Sequence, residues 1–82
     1  MSLVYLKTIV YPSAIPLNYT DISVDHNFIC FSINNNITLL YHVNYTVYQS
    51  NSLPSKITGV KLVNNTYILI VTTSFIMQLD YQ

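Results

Sequence analysis

Eighty-two residues that are 51% apolar and 7% charged, with a formal net charge of zero, make at most one small domain. A chain of this size buries only roughly 60–65% of its unfolded surface, so its stability margin is thin. Three Lys and no Arg exclude the clustered cationic face that a phosphate backbone requires. One Cys and one Gly exclude an internal disulfide and a Gly-rich phosphate loop.

Soluble domains ordinarily carry about 25% charged residues. Asn, Ser, Thr and Tyr fill the deficit here and solvate a surface without charge. Near-zero net charge favours association between copies over repulsion. Residues 27–55 contain no Lys, Arg, Asp or Glu. Asn, Ser, Thr, Gln and Pro interrupt that run, so no block of about 20 apolar residues forms a transmembrane helix. Met1 to Leu6 is apolar but lacks the basic start and long apolar core of a signal peptide.

Helix signals are nearly absent, with one Ala and neither Glu nor Arg, while Val, Ile, Thr, Tyr and Phe are abundant. Those residues suit a pleated, half-buried surface. Leu3 to Tyr11 reads as extended, and Pro12 to Pro16 breaks the chain by removing backbone donors. Thr20 to Asp25 alternates, with Ile22 and Val24 on one face. His26-Asn27 is a turn signal, with Asp25 as acceptor for a backbone N–H. Phe28 to Ile33 is a strand whose apolar run suits burial on both faces. Asn34-Asn35-Asn36 turns the chain, because Asn tolerates positive φ. Ile37 to Val43 follows as a strand, Tyr45 to Tyr48 alternates, and Ser50 to Ser55 is a polar break around Pro54. Ile57 to Val63 is a strand with Val60 and Leu62 on one face. Asn64-Asn65 turns, and Tyr67 to Thr72 and Phe75 to Tyr81 complete the chain. Such short turns join antiparallel hairpins. Tyr67, Ile68, Leu69, Ile70 and Val71 form the most apolar strand, expected at the centre of a sheet.

Slid over itself by 38 residues, the chain places Thr8 on Thr46, Pro16 on Pro54, Thr20 on Thr58 and Asn27 on Asn65. Ile22 meets Val60 and Val24 meets Leu62. Strand, turn and Pro break recur in one order, dividing residues 1–82 into repeats 1–38 and 39–82. A repeat of about 40 residues with four short strands is the pattern of a β-propeller blade. Tyr41-His42-Val43 and Leu79-Asp80-Tyr81 stand where a WD-repeat blade ends in its Trp-Asp pair, and in this respect the chain resembles that family. Asp80 alone matches the signature literally; both Trp and the usual Gly-His are missing. The resemblance implies an all-β fold of about two propeller-like four-stranded blades, which cannot close a ring of four to eight. The alternative is a small β-sandwich or barrel of seven or eight strands.

The ionisable groups are Asp21, Asp25, Asp80, His26, His42, Lys7, Lys56, Lys61 and Cys30. No nucleophile, base and orienting group stand at a spacing that implies catalysis, and no ligand spacing implies a metal. The expectation is a non-enzymatic chain with no cofactor, and with Cys30 as a small buried hydrophobe. Asn-X-Thr sequons at Asn18, Asn36, Asn44 and Asn64 are a mild excess, and they mark possible glycosylation. The eight Tyr are expected to pack on cross-strand neighbours; a stacking surface for sugars is the other reading.

These features point to a structural or protein–protein interaction module within a larger assembly, with protein partners or further copies of itself. The alternative is an extracellular or virion surface protein with a sandwich or barrel fold, a candidate for N-glycosylation.

Overall fold

Asparagine turns set the topology. Asn34, Asn64 and Asn65 adopt φ of 53°, 51° and 55°, a left-handed region that Asn enters at low cost. Positive φ at two successive residues is what a type I′ hairpin requires. At Asn64-Asn65 the turn closes through Thr66 N–H donating to the Val63 carbonyl at 3.0 Å. Asp25 builds the first turn differently. Its Oδ1 accepts from the amides of Asn27 and Phe28 at 2.8 and 2.7 Å, as its sequence position suggests.

The computed structural model describes residues 3–6, 8 and 11–81. The regular elements among them are all strands: β1 (Asp21–Val24), β2 (Phe28–Ile33), β3 (Asn36–Tyr41), β4 (Val47–Ser52), β5 (Ile57–Val63), β6 (Tyr67–Thr72) and β7 (Ile76–Asp80). They form two antiparallel sheets, β1-β2-β3-β4 and β5-β6-β7, here sheet A and sheet B. The sheets do not close into a barrel. Sheet B has three strands where four-stranded blades were expected. Residue 38, the expected end of the first repeat, lies inside β3, and the two sheets span Asp21–Ser52 and Ile57–Asp80. Residues 3–6, 8 and 11 belong to no strand; the rest of the expected N-terminal extended stretch, residues 7, 9 and 10, lies outside the described residues. The expected polar break at Ser50 to Ser55 starts later, because β4 continues to Ser52. Side-chain hydrogen bonds between Thr38 and Ser50 (3.3 Å) and from Ser52 to Asn36 (2.5 Å) hold these small polar residues against β3.

Two cores follow from the alternation of side chains along each strand. Phe28, Cys30, Ile37 and Leu39 of sheet A face Ile57, Val60, Leu62, Ile68 and Ile70 of sheet B, with Tyr81 closing one end. The opposite face of sheet A carries Ile29, Phe31 and Leu40, and Ile15 and Tyr19 of the preceding segment cover it. This explains why β2 is buried on both faces.

The sheets are joined along β1 and β5. The Val60 amide donates to Asp21 Oδ2 at 2.9 Å and the Leu62 amide donates to Ser23 Oγ at 3.0 Å. Asp21 and Ser23 share one face of β1, and Val60 and Leu62 share one edge of β5. The two strands therefore run parallel, bridged by side chains rather than by a backbone ladder. Gly59 lies next to a β-bulge in β5, and a Cβ there would meet Asp21 Oδ2 at 3.6 Å, an ordinary contact.

Ser32 Oγ is fully buried with no hydrogen-bond partner among the described residues. Asp21→Ala is expected to lower stability by about 1–3 kcal/mol, because it strips the acceptor from a buried amide. Ser32→Ala is expected to be neutral or stabilising, because it removes an unsatisfied hydroxyl. Urea midpoints of the two variants check both signs.

Candidate interaction surfaces

Ionisable side chains converge at one end of the domain, around the β1–β2 turn. Asp25 Oδ1 holds the turn, and Oδ2 accepts from Tyr81 Oη at 3.4 Å. The Asp25 carbonyl is 3.0 Å from His42 Nδ1, which therefore carries the proton and donates. The His42 amide donates to the Asn27 carbonyl at 2.9 Å, and Tyr48 Oη donates to the Tyr81 carbonyl at 2.9 Å. Phe28 sits among Tyr41, Tyr48 and Tyr81 with ring centroids 5.0–5.6 Å away. Beyond the Asp25 Oδ1 contacts within the turn, each of these polar contacts ties one chain segment to another. The cluster fastens the end of sheet B to the first turn of sheet A, and it is a structural joint. Among the described residues, no group of three or more His, Cys, Asp or Glu could hold a metal ion.

Burial pushes the Cys30 thiol up from 9.0 to about 12, with Asp21 and Asp25 adding to the shift. Burial also pushes the Tyr81 hydroxyl up from 10.0 to about 12, assisted by the charge of Asp25 and its hydrogen bond. Cys30 lies on the inner face of β2 and is fully buried, so it is an inert thiol at neutral pH.

Each sheet carries an open surface. The first is a groove of about 400 Å³ on the outer face of sheet A. Phe31 and Ile33 form its floor, Ala14 and Pro16 one wall, and Asn36, Thr38 and Ser50 the other. The polar wall is already engaged with itself through Thr38–Ser50 and Asn36–Ser52, which leaves little directed polarity for a ligand. The second is the outer face of sheet B. Pairing places Gly59, Lys61 and Val63 of β5 beside Val71, Leu69 and Tyr67 of β6, and these beside Ile76, Gln78 and Asp80 of β7. Leu69 and Val71 are 37% and 38% exposed and Ile76 is 70% exposed.

The strand expected at the centre of a sheet, Tyr67 to Val71, is the middle strand of sheet B. Ile68 and Ile70 are fully buried and Tyr67 is half-buried, while Leu69 and Val71 line the uncovered face. An unbroken apolar run does not reveal this split, which depends on which sheet faces have a neighbour. The four sequon asparagines are all exposed and are spread over the domain. Asn44 and Asn64 lie in turns at the Asp25 end. Asn36 opens β3 at the other end, and Asn18 lies in the segment over sheet A. Asn44 Oδ1 accepts from both the amide and the hydroxyl of Thr46, at 3.2 and 2.8 Å. Tyr11 and Tyr19 stack on each other at 6.4 Å, and Tyr41, Tyr48 and Tyr81 pack on Phe28, so most of the rings meet other rings. Among the described residues, no helix is long and apolar enough to cross a membrane.

No protein-family model matches this chain, and no curated protein matches it.

Both raised groups make stability depend on alkaline pH. In the folded state the thiol and phenol stay protonated to about 12, while unfolded they ionise near 9 and 10. Their contribution is fully present below pH 9 and is lost as pH rises toward 12. The urea midpoint is expected to hold steady from neutral pH to about pH 9 and then fall. Cys30→Ala is expected to shift the start of that fall upward toward pH 10, where the phenol begins to ionise.

Proposed function

We infer that this chain is a non-enzymatic structural or protein–protein interaction module that works within a larger assembly. The observation that carries this reading is the uncovered outer face of sheet B, an apolar stripe of Tyr67, Leu69, Val71 and Ile76 on a domain with almost no charge. The largest contiguous apolar patch on a soluble domain is often a functional contact. Three strands about 4.8 Å apart and roughly six residues long give the face a footprint of roughly 300 Å². A stable interface buries about 800 Å² per partner, so this face is one part of a larger contact.

The finer reading is that sheets A and B are successive propeller-like blades. In its support, the 38-residue offset carries β1, β2 and β3 onto β5, β6 and β7, with a slip of one or two residues. In its support too, β1 and β5 run parallel. Residues 11–19 already cover the outer face of sheet A, so further blades would join on the sheet B side. A second reading, a glycosylated surface protein, rests on the exposure of all four sequon asparagines. The intact mass of the chain from its native source distinguishes the two. An excess of hexose and N-acetylhexosamine supports the glycoprotein, and an unmodified mass removes it.

The assembly reading is tested by a photoreactive residue at position 69, compared with one at position 43 in the exposed β3–β4 turn. A discrete covalent adduct from position 69 alone, formed in native extract, is expected. No adduct, or equal adducts from both positions, would contradict the assigned face.

A further inference from the structure

Residues 11–19 cover sheet A without filling all the space beneath them. A pocket of about 170 Å³ lies between Tyr11, Pro12 and Ile15 of this segment and the outer face of β1 and β2. Ile15 and Ile29, both buried, form its deepest part. Ile22 and Val24 continue the apolar lining along β1, and Val24, 51% exposed, stands at the mouth. Apart from the Tyr11 hydroxyl, the one polar side chain in the lining is that of His42, just beyond β3.

The walls are held in place. The Ile15 amide donates to the Pro12 carbonyl at 3.1 Å, and Tyr11 Oη donates to the Pro16 carbonyl at 3.2 Å. His42 is fixed from the other side, with its amide on the Asn27 carbonyl and Nδ1–H on the Asp25 carbonyl. The proton on Nδ1 sets the tautomer, so Nε2 of the neutral ring carries a lone pair. Among the described residues, no hydrogen bond engages that nitrogen. A pocket already formed in this way loses little binding free energy to ordering.

Size and lining limit the occupant. Sites for drug-sized ligands measure about 300–1,000 Å³, whereas an apolar cavity of about 150 Å³ takes up benzene. One six-membered ring with a small substituent therefore fits. An aromatic ring gains contact with the Tyr11 ring beyond its area alone. A lone acceptor on an apolar wall is matched by one donor, and it loses its water without return if the occupant has none. We propose that this pocket binds a phenol ring, whose hydroxyl donates to His42 Nε2 and whose ring lies between Tyr11 and the outer face of β1 and β2. A free phenolic molecule and the tyrosine side chain of a partner share that chemistry. The pocket lies on sheet A, so its occupant is independent of the contact assigned to the outer face of sheet B.

The test is an NMR titration of the full chain with p-cresol, with toluene as the ring that lacks the hydroxyl, following the methyl groups of Ile22, Val24 and Ile29. Wild type is expected to bind p-cresol saturably, with a dissociation constant on the order of 1 mM, and toluene about fivefold more weakly. His42→Asn keeps a donor for the Asp25 carbonyl and removes Nε2. It is expected to bind p-cresol no better than toluene, with toluene unchanged. Val24→Phe, at the half-exposed mouth, is expected to abolish binding of both. N-acetyl-tyrosinamide separates the two sources: binding at least as tight as p-cresol assigns a partner's tyrosine, and binding of p-cresol alone assigns a free phenol. Absence of saturable shifts with p-cresol would overturn the proposal. So would equal affinity for toluene and p-cresol, or a folded His42→Asn or Val24→Phe that binds p-cresol like wild type.

Discussion

The two hydrogen bonds from the β5 amides to Asp21 and Ser23 hold the architecture together. A three-stranded and a four-stranded sheet that met only through apolar side chains could slide over one another, since dispersion and hydrophobic contact have little direction. A carboxylate and a hydroxyl on alternate residues of β1, each accepting from alternate amides of β5, fix the register of one sheet on the other. They also satisfy donors that would otherwise be buried without partners. The facing core of Phe28, Cys30, Leu39, Ile57, Ile68 and Ile70 then packs in one arrangement. At the far end, the turn held by Asp25 receives Tyr81 and His42 and closes the same joint a second time.

Much of this was legible in the residues, where local chemistry decides the outcome. Asn34 and Asn64-Asn65 turn the chain because Asn accepts positive φ. Asp25 caps its own turn because a short carboxylate reaches the amides two and three residues on. Phe28 to Ile33 is buried on both faces, as its unbroken apolar run suggests. Where distant segments decide, the residues say less. Asp21 and Ser23 read as ordinary polar positions in an alternating strand, and only β5, nearly 40 residues later, gives them a task. Ser50 and Ser52 look like loop residues until Thr38 and Asn36 bind them. Leu69 and Val71 look as buried as Ile68 and Ile70, and they differ only because sheet B has a neighbour on one side. The expected fourth strand of the second unit is absent from sheet B among the described residues, and it is this that leaves β7 at an edge.

Size and charge turn these features into a coherent whole. A chain of 82 residues with a formal charge of zero gains little from electrostatic self-repulsion and has a limited core. Its uncharged polar residues solvate the surface, and a few polar side chains, at β1 and at the Asp25 joint, tie one segment to another. Sheet A is covered on one face by residues 11–19 and on the other by sheet B. Sheet B is covered on one face only. The asymmetry leaves Leu69, Val71 and Ile76 of sheet B on a face that no other part of the described chain covers.

The central claim, that β1 side chains bind the edge of β5 in place of a strand, is tested most directly by amide hydrogen exchange of Val60 and Leu62. Neither amide faces a backbone carbonyl of a neighbouring strand. If Asp21 and Ser23 hold them, they exchange as slowly as the Lys61 and Val63 amides that face β6, and Asp21→Ala releases Val60 selectively. If Val60 and Leu62 exchange as fast as the amides of the exposed residues Val43 and Asn44 in the β3–β4 turn, the two sheets are not joined in this way.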